Sequence, residues 1–168
     1  MALLFLHGAG GYGEDRPLAE AIAVELGQPL KYPRFPDDDM SFDHQASPVR
    51  AALDAVSPED LVAAHSFGAS ILLRVLAERE QETPRRVILL AMPDWSPQGW
   101  DVADYAFTGP ALGQDISLHH CRDDDVVEFA HLALNSARLT RAAVHAYDSG
   151  GHQFDGLAPA IASDLSST

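Results

Sequence analysis

Leu61-Val62-Ala63-Ala64-His65-Ser66-Phe67-Gly68-Ala69-Ser70-Ile71-Leu72-Leu73 changes its hydrophobic period within a few residues. Positions 61–64 form a short apolar run that reads as a strand, while Ala69, Leu72, Leu73 and Leu76 recur at helical spacing. Between them lies a very tight junction with a serine at its apex. Such a turn lifts a hydroxyl above the edge of a sheet only if the residues two before and two after it are small. Ala64 and Gly68 meet that demand.

The rest of the chain repeats the strand–helix alternation. A fully apolar strand over 2–6 stops at a glycine-rich turn, as a strand buried on both faces would. Leu18, Ala21, Ile22 and Leu26 mark a helix that Gly27 and Pro29 end, and a short strand over 30–32 follows. Pro33-Arg34-Phe35-Pro36 and Asp37-Asp38-Asp39 read as loop, and Val49, Leu53 and Val56 as the next helix. Strands over 87–90, 116–119 and 142–147, with helices over 126–139 and 157–165, complete the series. Six alternations with short connections predict an α/β three-layer αβα sandwich around a mainly parallel six-stranded sheet, as one domain over 1–168 without a lid domain. The exception is 92–113, with Trp95, Trp100, Tyr105 and Phe107, which is too long for a simple connection and reads equally as pocket lining or as core.

The 168 residues suffice for one core, and 25 Asp and Glu against 11 Lys and Arg give a formal charge of -14. So acidic a surface repels phosphate backbones and anionic headgroups, so neither nucleic acid nor membrane is an expected partner. A single cysteine, Cys121, closes no disulfide and reads as a buried small hydrophobe. The opening apolar run has no basic region before it, and His7-Gly8 follows directly, so no signal peptide is expected and the cytoplasm is the expected compartment.

In a doubly wound sheet, function gathers at the carboxyl ends of the strands. Ser66 stands at one such end, where its competing reading is a plain helix N-cap. As a nucleophile it needs a base and an orienting carboxylate. His152 follows the last predicted strand on the glycine-rich Ser149-Gly150-Gly151, and Asp123-Asp124-Asp125 follows the strand before it. The order serine, aspartate, histidine is that of a strand–elbow–helix hydrolase. Two N–H donors for an oxyanion are expected from Phe67, after the serine, and from Ala9 in the first glycine-rich loop. Gly8, Gly10 and Gly13 also match a dinucleotide fingerprint loosely, but the second strand ends Tyr32-Pro33-Arg34 where an acid should bind the ribose. His7, His65, His119 and His120 show no zinc-protease spacing, and the acidic runs 37–39 and 123–125 lack the EF-hand pattern, so no metal is expected.

These residues resemble the α/β-hydrolase superfamily, and more narrowly its small lidless serine hydrolases of the retinoblastoma-binding-protein type. The resemblance rests on His7-Gly8, on Tyr32-Pro33-Arg34-Phe35-Pro36-Asp37, on 65–73, on His119-His120-Cys121-Arg122-Asp123-Asp124 with Val126-Val127, and on Gly150-Gly151-His152-Gln153-Phe154. It implies that Asp124 is the triad acid, because Asp124-Asp125-Val126-Val127-Glu128 aligns with D-P-V-V-P. Acids replace both prolines, which keeps Asp123 as the alternative. The leading antiparallel strands of larger members are not expected, since the chain opens at the strand bearing His7-Gly8. The expectation is a cofactor-free serine hydrolase of small-molecule carboxylic esters, with Ser66, His152 and Asp124 reacting. A thioesterase or amidase with the same triad, and a binding protein with a vestigial site, are the competing readings.

Overall fold

The structure is a computed structural model that describes residues 1–80 and 83–167. Its sheet runs β2(Leu30–Lys31), β1(Leu3–Leu6), β3(Leu61–His65), β4(Arg86–Leu90), β5(Asp115–Cys121) and β6(Ala143–Tyr147) in that spatial order. Every neighbouring pair is parallel, so the sheet is wholly rather than mainly parallel. All six carboxyl ends therefore lie along one edge. The crossovers are α1(Arg16–Leu26), α2(Phe42–Asp54), α3(Phe67–Ala77) and α4(Ala130–Arg138), and α5(Ala158–Ser166) follows β6.

Strands β1, β3 and β4 are apolar without alternation because both of their faces are covered. Leu4, Leu6, Val62, Ala64 and Leu89 pack with the buried residues of α2 and α3 on one face. Leu3, Phe5, Ala63, Ile88 and Leu90 pack with those of α1 and α5 on the other. Each of the larger side chains contributes about 1.5–3 kcal/mol by leaving water, which locks the register Leu6↔Ala64 and His65↔Leu90 and so aligns the strand ends. The edge strand β6 is different, since Val144 is half exposed.

Element bounds depart from the sequence expectations where polar groups intervene. Helix α4 starts at Ala130 instead of 126, because the Val126 and Val127 amides are taken by the Asp124 carboxylate. Helix α2 starts at Phe42, tolerates Pro48 inside it, and ends before Val56. Strand β5 continues past 119 to Cys121, so His120 and Cys121 also lie within it.

In 92–113 the one regular piece is a short 3₁₀ turn, Ala103–Tyr105. Trp95, Tyr105 and Phe107 are partly buried against the α2–α3 core, and the Trp95 indole N–H donates to Ser70 Oγ at 2.7 Å. Residues 107–112 instead line a cavity of about 320 Å³ with Gln114, Ile116 and Leu139, at the amino end of β5. That cavity lies away from the carboxyl edge. No helix among the described residues is long and apolar enough to cross a membrane.

Candidate active site

Four of the six carboxyl ends converge on one place. At the end of β3, Ser66 has φ 51° and ψ -123°, a conformation that a side chain with a Cβ rarely adopts and that costs of order 1–3 kcal/mol. It persists because the flanking elements leave no other path. The Ser66 amide donates to Leu90 O at 2.8 Å, extending the β3–β4 ladder, and α3 begins at the next residue. The Ser66 side chain makes no capping hydrogen bond, so the N-cap reading does not describe it. Gly68 passes so close to β1 that a Cβ there would run into the His7 carbonyl.

The His152 ring sits 4.5 Å from the His65 ring, beside the elbow. Its Nδ1 lies 2.9 Å from Asp124 Oδ2 and 3.1 Å from Oδ1. Asp124 is fully buried at its side chain and accepts from the Val126 and Val127 amides at 2.9 Å each, with His120 Nε2 3.3 Å away. Burial works to raise its pKa, but the hydrogen bonds from His120, His152 and the two amides outweigh it and hold the carboxyl far below the ordinary range. Asp123 serves another purpose. Its carboxylate accepts from the Gly151 amide at 2.9 Å and the Gly150 amide at 3.2 Å, and so ties down the loop that carries His152. Of the two acids, Asp124 is the one on the imidazole. No hydrogen bond joins Ser66 Oγ to His152 in this structure, where the hydroxyl and His152 Nε2 have no partner among the described residues.

The loop after β1 lies against the serine, since a Cβ on Gly8 would stand 3.2 Å from Ser66 Cβ and 3.7 Å from its Oγ. The Ala9 and Phe67 amides have no acceptor among the described residues. His7 is buried and shapes this loop: Nδ1 is 2.7 Å from Gly8 O, and Nε2 accepts from the Phe35 amide at 3.0 Å. Burial lowers its pKa, in keeping with a neutral ring that donates at one nitrogen and accepts at the other.

Sequence reasoning gave no place in the site to Asp15, Gln153 or His120. Asp15 Oδ2 accepts from the Gly8 amide at 2.7 Å and from His65 Nδ1 at 2.8 Å, and Oδ1 accepts from the Gln153 side chain at 3.0 Å. His65 Nε2 in turn lies 2.8 Å from the His152 carbonyl. One buried carboxylate thus links the glycine-rich loop, the elbow and the loop of the base. The sequence offered a single cue, an acid just before Arg16-Pro17 at a helix start, and that cue points to a cap that Asp15 does not form. Cys121 is buried, and burial with Asp123, Asp124 and Asp155 nearby pushes its thiol up to about 12, so it is unreactive at neutral pH.

No protein-family model matches the chain, and no curated protein matches it. Solved structures do. The chain is similar to the ydeN gene product of B. subtilis, with a TM-score of 0.76 and 13% identity over 98% of this chain and 97% of that one. It is similar to SOBER1 of Arabidopsis thaliana, with a TM-score of 0.71 and 19% identity over 98% and 97%. A candidate hydrolase of the alpha/beta superfamily from Xanthomonas campestris pv. campestris gives a TM-score of 0.69 at 17% identity over 98% and 95%. With a wholly parallel sheet, a strained serine between β3 and α3, and these neighbours spanning nearly its whole length, the chain has the α/β-hydrolase fold.

Proposed function

We propose that the chain is a serine hydrolase that cleaves small carboxylic esters through an acyl-enzyme. The observation that carries the proposal is the strained Ser66, whose hydroxyl is unpartnered beside an imidazole anchored at Nδ1 by a buried aspartate. The fold shared with a candidate hydrolase supports the coarser reading, and the narrower kinship with small lidless serine hydrolases belongs to this proposal.

In this reading Ser66 Oγ attacks the acyl carbon while His152 Nε2 takes its proton. Asp124 keeps the tautomer that presents a bare Nε2 and stabilises the imidazolium that forms. The Ala9 and Phe67 amides receive the oxyanion, with the positive end of α3 behind Phe67. His152 then returns the proton to the leaving alcohol, and water, deprotonated by the same imidazole, releases the acid. The Ser66–His152 hydrogen bond is one that tightens in the Michaelis complex. The 320 Å³ cavity, at the amino end of β5, is not part of this site.

The test is labelling with a fluorescent fluorophosphonate beside Ser66→Ala, with the adduct mapped by mass spectrometry. One adduct, on Ser66, is expected, together with ester turnover that Ser66→Ala abolishes. A folded protein without an adduct would overturn the reading in favour of a binding protein on the same fold.

A further inference from the structure

On the side of the sheet covered by α1 and α5, away from Ser66, three side chains from three elements face one another. His119 of β5 and His145 of β6 are register partners whose rings stack at 4.4 Å. Asp164 of α5 places Oδ2 3.0 Å from His119 Nε2 and Oδ1 3.7 Å from His145 Nε2. One donor atom from each lies within 4.8 Å of the other two. We infer that His119, His145 and Asp164 form a binding site for a divalent transition-metal ion of the zinc or cobalt class, completed by water.

Two features distinguish this cluster from an ordinary polar network. First, His145 Nε2 is a buried atom without a hydrogen-bond partner among the described residues, directed at an anionic carboxylate, and such an atom calls for an explanation. A cation between it and Asp164 supplies one. Second, the outer contacts are those that orient metal ligands. His119 Nδ1 lies 2.8 Å from the Tyr147 hydroxyl, which can either donate or accept, so His119 can shift its proton to Nδ1 and bare Nε2 without losing that bond. Arg86 holds Asp164 Oδ1 at 2.6 Å and shares its charge with Asp115 at 2.9 Å, which leaves Oδ2 for the ion. Nitrogen and oxygen bonds of about 2.0–2.1 Å at tetrahedral angles need donor separations of about 3.3 Å. To reach that separation from spacings of up to 4.8 Å, the His145 ring, on the half-exposed edge strand, must turn out of its near-parallel stack on His119 and toward Asp164. Bound there, the ion clips β6 to β5 and α5, directly upstream of the loop that carries His152.

The experiment is a titration of full-length, chelator-treated protein with Co(II), read by visible d–d absorption and by the shift in Tm. Expected are one equivalent bound with tetrahedral bands, a raised Tm, loss of both in His145→Ala, and affinity about 10-fold weaker in Tyr147→Phe. His152→Ala should bind as the parent does. No bands and no Tm shift in the parent would overturn the site. So would binding that survives His145→Ala, or that His152→Ala abolishes, since the ion would then be elsewhere or at the candidate active site.

Discussion

His65 Nε2 donates to the His152 carbonyl at 2.8 Å while its Nδ1 lies 2.8 Å from Asp15 Oδ2. Both ring nitrogens face acceptors, so one buried ring ties the elbow to the carboxylate behind the first loop and to the backbone of the loop that carries the base. The Asp15 pKa reflects this: burial works to raise it, but His65, the Gly8 amide and Gln153 bring it down to about 2. Asp15→Asn leaves one acceptor oxygen where the Gly8 amide, His65 Nδ1 and the Gln153 side chain converge, and so loosens the His152 loop from the elbow. The expected outcome is a fall in kcat of about 100-fold, as for a misplacement of a reacting group by about 1 Å, with KM little changed. Steady-state ester hydrolysis checks it, and urea unfolding should show a loss of about 1–3 kcal/mol for buried donors left without a partner.

Acid should unfold the protein through such carboxylates. Asp60 accepts from the Ala2 amide at 2.7 Å, from the Ser57 amide at 3.1 Å and from Lys31 Nζ at 2.9 Å. Burial opposes these bonds, yet they bring its pKa from 3.8 to about 2. Because the folded value is depressed, the stabilisation is present above pH 4 and disappears as pH falls toward 2. It amounts to about 2 kcal/mol, at 1.36 kcal/mol per unit. Urea unfolding of Asp60→Asn should show a deficit of that size at pH 7 that closes as pH approaches 2. A constant deficit across that range would contradict it.

Asp60 and Asp15 also show what the sequence could and could not convey. The apolar runs of β1, β3 and β4 and the small–serine–small junction at 64–68 are local signals, and they led directly to the parallel sheet and the elbow. Residues 149–152 were legible for the same reason, as glycines followed by an imidazole after a strand. Asp15 was not, because its partner Gln153 lies 138 positions away and nothing local distinguishes it from a capping acid. The choice between Asp123 and Asp124 likewise depends on which carboxylate the turn after β5 aims inward, a matter of backbone direction that neighbouring identical residues conceal.

That division of labour predicts two unlike variants. Asp124→Asn can donate where Asp124 accepts, so it favours the imidazole tautomer with Nδ1 bare and Nε2 protonated, and kcat should fall by about 10⁴-fold. Asp123→Ala removes only the bonds to the Gly150 and Gly151 amides, which are exposed, and should cost about tenfold, equivalent to about 1.4 kcal/mol of barrier. Comparing fluorophosphonate labelling rates of the two separates orientation of the base from anchoring of its loop. Equal losses would mean that the two acids share one role.

The elbow should be intolerant at Gly68 and the first loop tolerant at Gly13. A Cβ on Gly68 would collide with the His7 carbonyl and sit 2.9 Å from that of Leu6, and neither can retreat, because β1 is fixed between β2 and β3. Relief would require α3 to lift from the sheet, which also moves the Phe67 amide and Ser66. Gly68→Ala should therefore cost about 1–3 kcal/mol, as overpacking does, and lower labelling of Ser66 even in the folded fraction. Gly13 has open space where its Cβ would go, so Gly13→Ala should stay within about 0.5 kcal/mol of the parent. Thermal unfolding combined with labelling distinguishes the cases: if Gly68→Ala keeps both its Tm and its labelling rate, helix α3 is not pressed against β1 as closely as the glycine implies.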